Sequence, residues 1–233
     1  MFTARSAGGV QLVAGTSTST ASTVTATAAS ITTTYPAGSA SGDYLIQLVA
    51  TNRNAAGTYT ITTPSSWSAI TNQNPSGSSD GKNFSVFGRF RGAETTVTVT
   101  PTVSTVLFTT IVAYQGATVN AINPVNVSTS TYSNTAGTVM TTPTVTTTTD
   151  NCALCLIQSS AQGSGTAFTD TWTAPAVALI DTIVNETSFG PVRWGETIAT
   201  ATQGGAGATG TFTVTASQSV LGQFLATLAI AKR

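Results

Sequence analysis

The sequence predicts an all-β protein: an antiparallel two-sheet β-sandwich, jelly-roll-like, built from two internally duplicated halves. Three observations predict it. Thr supplies about fifty of the 233 residues and Val is abundant; both are stiff at the β-carbon and fit a pleated surface better than a helix. No window carries a sustained apolar 3.6-residue period with a cap and a stop, so almost no helix is expected. Finally, one plan is written twice. Asp43-Tyr44-Leu45-Ile46-Gln47-Leu48-Val49, Thr60-Ile61-Thr62-Thr63-Pro64, Thr96-Val97-Thr98-Val99-Thr100 and the run from Val106 to Tyr114 form the first copy. The run from Asp150 to Ile157, Thr171-Trp172-Thr173-Ala174-Pro175, Thr211-Phe212-Thr213-Val214-Thr215 and the run from Val220 to Leu228 repeat it in the same order and spacing. Apart from Asp43 and Asp150, which precede matching strands, no reactive side chain recurs at matching positions, so the duplication copies a scaffold and leaves chemistry out.

The elements follow in order. Residues 1–9 read as an N-terminal arm and 10–116 as the first β repeat. Residues 19–34 alternate Thr with small or apolar side chains, and Tyr35-Pro36-Ala37-Gly38 closes them. Asp43 to Ala50 is nearly all apolar, which suits a strand buried on both faces. Asn54-Ala55-Ala56-Gly57 turns the chain into Thr58 to Thr63, and Trp67 to Thr71 follows Pro64. Asp80-Gly81 is a hairpin signal that launches Phe84 to Phe90, where the even positions put Phe84, Val86 and Phe90 on one face. Gly92-Ala93-Glu94 turns into the ladder of Thr95 to Thr100, and Val103 to Tyr114 ends the half.

Residues 117–137, with Asn123-Pro124 and little sustained pattern, read as a connecting segment, and 138–233 as the second β repeat. Its turns fall at Gln162 to Gly165, Ala174-Pro175, Gly190-Pro191 and Gly204 to Gly210. A four-stranded unit exposes one apolar face and two open edges, and pairing two such units buries the faces. One sandwich with halves related by a pseudo-twofold axis is therefore expected, with two small tandem sandwiches as the alternative. The Thr-rich stretches are not read as disordered, because disorder goes with high net charge and few apolar residues, whereas here net charge is zero and 40% of residues are hydrophobic.

Several short motifs, taken together, resemble a known family. Asp43-Tyr44-Leu45-Ile46, Pro64-Ser65-Ser66-Trp67, Phe84 to Phe90 with Glu94, Ala113-Tyr114-Gln115-Gly116 and Asn123-Pro124 resemble a Gly-Asp-Leu-Leu, Pro-x-Gly-Trp, Tyr-Arg-Gly-Val-Asp series. That series occurs in β-sandwich proteins encoded beside bacteriophage structural genes. Ser66 stands where the family has Gly, and Gln115 where it has Arg. The resemblance implies a virion surface or tail protein, with other virion subunits as partners and a homo-oligomer, for example a trimer, as the assembly. It brings no catalytic residues and no cofactor.

Charge narrows the partners. Charged residues make up 7% of the chain, against roughly 25% in an ordinary soluble domain. Hydroxyls must keep the surface wet, and near-zero net charge favours association. The eight basic residues are scattered; Arg89 and Arg91 share a strand face, but a pair is not a patch, so nucleic acid is not expected as a partner. No apolar run of about 20 residues predicts a membrane span. Met1 to Ala14 lacks the apolar run of a secretory signal, although the composition suits life outside a cell. A virus particle, made in the host cytoplasm and released by lysis, reconciles the two, with the virion surface as the expected location.

The search for chemistry is mostly negative. The chain has no His, which removes the commonest general base and metal ligand. Cys152-Ala153-Leu154-Cys155 fits C-x-x-C, but in a strand a separation of three puts the thiols on opposite faces, about 10 Å apart along the axis, too far for a disulfide. No second pair completes a zinc site, so the thiols read as small buried hydrophobes. Asp43, Asp80, Glu94, Asp150, Asp170, Asp181, Glu186 and Glu196 are dispersed. Asp43 and Asp150 precede matching strands and read as turn acceptors. Asn83, Asn126 and Asn185 fit the glycosylation pattern by chance in a Thr-rich chain. Neither a catalytic, a metal nor a cofactor-binding residue is assigned.

The aromatic side chains are the candidates for recognition. Trp67, Trp172, Trp194, Tyr59 and Tyr132 offer faces for a pyranose ring or for a partner subunit, while the core is the competing destination for each. Three readings result: a non-enzymatic phage structural protein (head decoration, fibre subunit or tail component), a carbohydrate-binding adhesin module for host attachment, and a hydrolase using a pair of acids brought together by folding. The first is preferred.

Overall fold

Thr-Val alternation gives strands one apolar and one hydroxylated face, and runs apolar at every position give strands covered on both sides. The computed structural model describes residues 10–21, 29–52, 60–73, 82–162, 166–186 and 192–233. Among them there is no helix. The first half contains β1 (Leu12–Ala21), β2 (Ile31–Thr34), β3 (Tyr44–Asn52), β4 (Ile61–Thr62), β5 (Ser68–Gln73), β6 (Asn83–Phe90), β7 (Thr96–Pro101) and β8 (Val106–Tyr114). The second contains β9 (Val125–Ser133), β10 (Gly137–Thr141), β11 (Thr146–Thr147), β12 (Cys152–Gln162), β13 (Asp170–Trp172), β14 (Val177–Glu186), β15 (Val192–Gln203), β16 (Gly207–Ala208) and β17 (Thr213–Ile230). The arm 1–9, Asn54 to Gly57 and the Asp80-Gly81 hairpin signal lie outside the described residues.

The two halves share one winding. In the first, a five-stranded sheet in the order β1-β8-β3-β6-β5 faces a three-stranded sheet in the order β2-β7-β4. In the second, β9-β17-β12-β15-β14 reproduces the large sheet and β10, β17 and β13 the small one. One difference is instructive. The first half uses two strands, β7 and β8, where the second uses the single 18-residue β17. The start of β17 pairs with β10 and β13, and from Leu221 it pairs with β12. Gly222, with φ 57°, sits at the corner between the two sheets. A left-handed residue there turns the strand out of one sheet and into the other, the bend by which sandwich corners are made. Each half is thus a jelly-roll-like sandwich, and the duplicated plan seen in the sequence is a duplicated topology.

Four layers result, in the order three, five, five and three strands, with three cores between them. Leu45, Val49, Trp67, Phe87, Val97, Val99, Leu107 and Ile111 fill the sandwich of the first half. Leu154, Leu156, Phe168, Trp172, Val214 and Leu225 fill that of the second. The opposite faces of both large sheets meet in the central core, where Ile46, Leu48, Phe84, Val86, Phe108 and Val112 oppose Ile157, Trp194, Ile198, Phe224 and Leu228. Both-sided burial explains why β3, β8 and β12 carry continuous apolar runs, such as Val106-Leu107-Phe108 and Cys152 to Ile157, where β7 alternates. Each fully buried side chain of this size stabilises the fold by about 1.5–3 kcal/mol. Each half is a sandwich of its own, with a large and a small sheet, and the two large sheets pack against each other between them.

The halves pack reciprocally. Edge strand β5 lies on β9 and edge strand β1 on β14, and in the shared winding β1 corresponds to β9 and β5 to β14. Each contact is therefore the other with the halves exchanged, as a pseudo-twofold axis requires. The span 117–137 differs from a bare connector, because it carries β9, which pairs along β17 from Gln223 to Ile230. Val125 to Ser133 has mostly hydroxyl side chains and is only half buried, so it gives no apolar signal; its place comes from the free edge of β17.

Candidate binding surface at the junction of the halves

Among the described residues, a polar surface is built on the Pro64 turn. Trp67 donates its N–H to the Pro64 carbonyl, 3.0 Å away, and Ser66 at the third position of this turn has φ 66°. That is a left-handed conformation favouring glycine, and it costs another L-residue about 1–2 kcal/mol. The turn drops the Trp67 ring into the first-half core and leaves Ser66 exposed beside the end of β6. Two guanidinium groups cover the aromatic rings there. Arg89 lies over Trp67 at 5.8 Å and Arg91 over Tyr35 at 5.5 Å. Arg89 pairs with Glu94 at 3.1 Å, and Arg91 donates to the carbonyl and hydroxyl of Ser39. The Glu94 carboxyl is held below its ordinary value by its own backbone N–H and by Arg89. Arg89 is neutralised by Glu94, whereas Arg91 is held by neutral oxygens, so the cluster carries one net positive charge.

A groove of about 520 Å³ adjoins it, where the splayed ends of β5 and β9 separate the two large sheets. One wall carries Ser66, Ser68 and Arg89; the other carries Ile122, Asn123 and Ser128; Tyr44, Ile70, Phe90 and Val125 form the floor. Further along, Thr71 hydrogen-bonds Ser130 at 2.7 Å and Gln73 donates to the Ser130 hydroxyl at 3.0 Å, tying the two edges together.

The aromatic candidates occupy other places. Trp67, Trp172 and Trp194 are 7%, 8% and 4% exposed. Trp172 donates its indole N–H to Thr197 and Trp194 donates to Ser159, both at 2.9 Å. Lys82 covers Trp194 at 5.9 Å. The indoles are plugs of the three cores and offer no open face. Tyr132 is half buried against Phe84, ring centroids 5.8 Å apart. Tyr59 lies outside the described residues. Of Trp67, Trp172, Trp194 and Tyr132, the structure brings none together on one open surface.

The titratable groups are placed by turns and burial. Asp43 accepts from the backbone N–H of Ala40 within its own turn and from Gly116, at 2.8 and 3.0 Å, whereas Asp150 accepts from Ala206 of the distant 204–210 loop at 2.6 Å, so the turn-acceptor expectation is met locally only at Asp43. Cys152 and Cys155 are free, buried, and on opposite faces of β12, one in the second-half core and one in the central core. Burial pushes the Cys155 thiol up to about 12. Glu196 is fully buried between the halves and accepts from the Thr110 hydroxyl at 2.5 Å; burial pushes its carboxyl well above the ordinary value. Among the described residues, no three His, Cys, Asp or Glu side chains cluster to hold a metal. Sequence reasoning noticed that Arg89 and Arg91 share a face but not the rings beneath them. It missed the groove altogether, because Ser66 and Ser128 lie on different halves.

Comparison with protein-family models, curated proteins and solved structures finds no match.

Proposed function

We propose that the protein is a non-enzymatic structural subunit of a bacteriophage particle, displayed on the virion surface as a head decoration, fibre subunit or tail component. It docks to other virion subunits and to copies of itself. The observation that carries this reading is the use made of its chemistry: two jelly-roll-like sandwiches are joined face to face into one four-layered block, and the ionisable groups described above serve turns, ring stacks or the buried junction. Such a block supplies shape and rigidity. Edge strands of the outer sheets that carry no charged residue, such as β2 and β10, suit strand-to-strand docking. The motif resemblance points the same way.

The reading is tested on purified particles released from the host that carries the gene. Mass spectrometry is expected to find the chain in stoichiometric amount in density-banded particles, and antibody against it to label intact particles. A chain confined to the soluble lysate, absent from banded particles, contradicts the reading.

A further inference from the structure

We propose that the groove between β5 and β9 is a binding site for a neutral saccharide. The inference stands apart from the virion reading and needs no particle. The side chains of Ser66, Ser68, Asn123 and Ser128, the first three of them exposed, make no hydrogen bond to another described residue, although comparable hydroxyls and amides nearby are engaged within the chain, as in Thr71 with Ser130 and Asn126 with Thr148. Unengaged donors and acceptors thus line both walls of one concavity, whose volume of about 520 Å³ falls in the range of small-ligand sites. Its floor is apolar, with the half-buried Phe90 ring 5.0 Å from Tyr44, and the rim carries Ile122, 86% exposed. Polar walls over an apolar floor that includes the half-buried Phe90 ring match a pyranose, which has an apolar C–H face and a hydroxylated edge.

Two features select this ligand class. Arg89, the guanidinium at the wall, is already paired with Glu94, so the site offers an anion no uncompensated cation. The Thr71, Gln73 and Ser130 hydrogen bonds tie β5 to β9 at one end, so a polypeptide strand has no through passage while a short sugar segment does fit. Ser66 adds an independent sign. A left-handed residue at a turn where glycine is free of strain is the kind of backbone cost that persists at functional sites, and its exposed side chain borders the groove.

The test uses the intact chain on a glycan array holding neutral and acidic sugars, with free oligosaccharides as competitors to separate recognition of a single terminal residue from recognition of a surface-bound polymer. Neutral glycans should be retained, Asn123→Ala should weaken retention about tenfold, and Ser128→Trp should fill the groove and abolish it. Ser66→Gly should raise the melting temperature while lowering affinity, a combination that a purely structural role for Ser66 does not produce. Circular dichroism checks that each variant folds; if Ser128→Trp does not, Asn123→Ala and Ser66→Gly decide. Retention of acidic glycans alone, capture of extended peptides alone, no glycan retention, or retention unchanged by Asn123→Ala and Ser66→Gly overturns the proposal.

Discussion

The ring of Phe84, from the first half, stacks on that of Phe224, from the second, with centroids 4.9 Å apart and planes 5° from parallel. Trp194 and Tyr132 close around the same ring at 5.9 and 5.8 Å, so one side chain of β6 anchors three strands of the opposite half. Truncating it opens a cavity in the central core, not in either sandwich. Phe84→Ala should cost about 3–5 kcal/mol, read as a drop in the urea midpoint.

Glu196 should make stability fall with rising pH. Its folded carboxyl value lies well above 4.5, so between the two values the folded state holds a proton that the unfolded state has released. Its contribution is fully present below the unfolded value and is lost as pH rises through the folded one, at about 1.4 kcal/mol per pH unit in between. Glu196→Gln keeps an acceptor for Thr110 and removes the titration. The variant should be more stable than the natural chain at pH 8, with the difference shrinking towards pH 4. Denaturation at both pH values checks this.

Asp43 and Asp150 should differ in weight. Asp43 holds two backbone N–H groups, one of them across the sheet at Gly116, while Asp150 holds one. Hydrogen bonds to charged groups contribute about 1.5–3 kcal/mol each, so Asp43→Ala should destabilise more than Asp150→Ala in matched urea titrations.

The Trp side chains should be silent to solvent and ligand. All three are buried, so native fluorescence should be blue-shifted and resistant to iodide quenching, and glycans should leave it unchanged. Red-shifted, readily quenched emission would place an indole at the surface.

Neither thiol should react in the native state. Cys152 and Cys155 are buried on opposite faces of β12, so a thiol reagent should find none before denaturation and two after it. Fewer than two after denaturation would mean a disulfide.

The scaffold was legible in the sequence because period and repetition are local signals. Apolar runs marked β3, β8 and β12, Thr-Val alternation marked β7, and the spacing of Cys152 and Cys155 implied opposite faces. The second copy of the plan implied a second copy of the sheets. What was not legible depended on pairing across the halves. β9 has no apolar pattern and is held by the edge of β17. The four-layer stacking required knowing that both faces of the large sheets find partners, which an apolar run permits without saying what the partner is. Trp67 and Trp172 beside Pro64 and Pro175 read first as core plugs, which their burial bears out, but a lone Trp near Pro reads alike at a rim and in a core, so the sequence left recognition open as the other destination. The groove arises where β5 and β9 diverge, between residues some sixty positions apart.

Amide hydrogen exchange on the intact chain is the most direct measurement of whether the two halves form a single block. The amides of β3 and β12 should share one large opening free energy, and Phe84→Ala should lower both by the same amount, although only β3 belongs to the half that carries the substitution. If β12 keeps its protection while β3 loses it, the halves are separate sandwiches and the central sheet-to-sheet core does not hold them together.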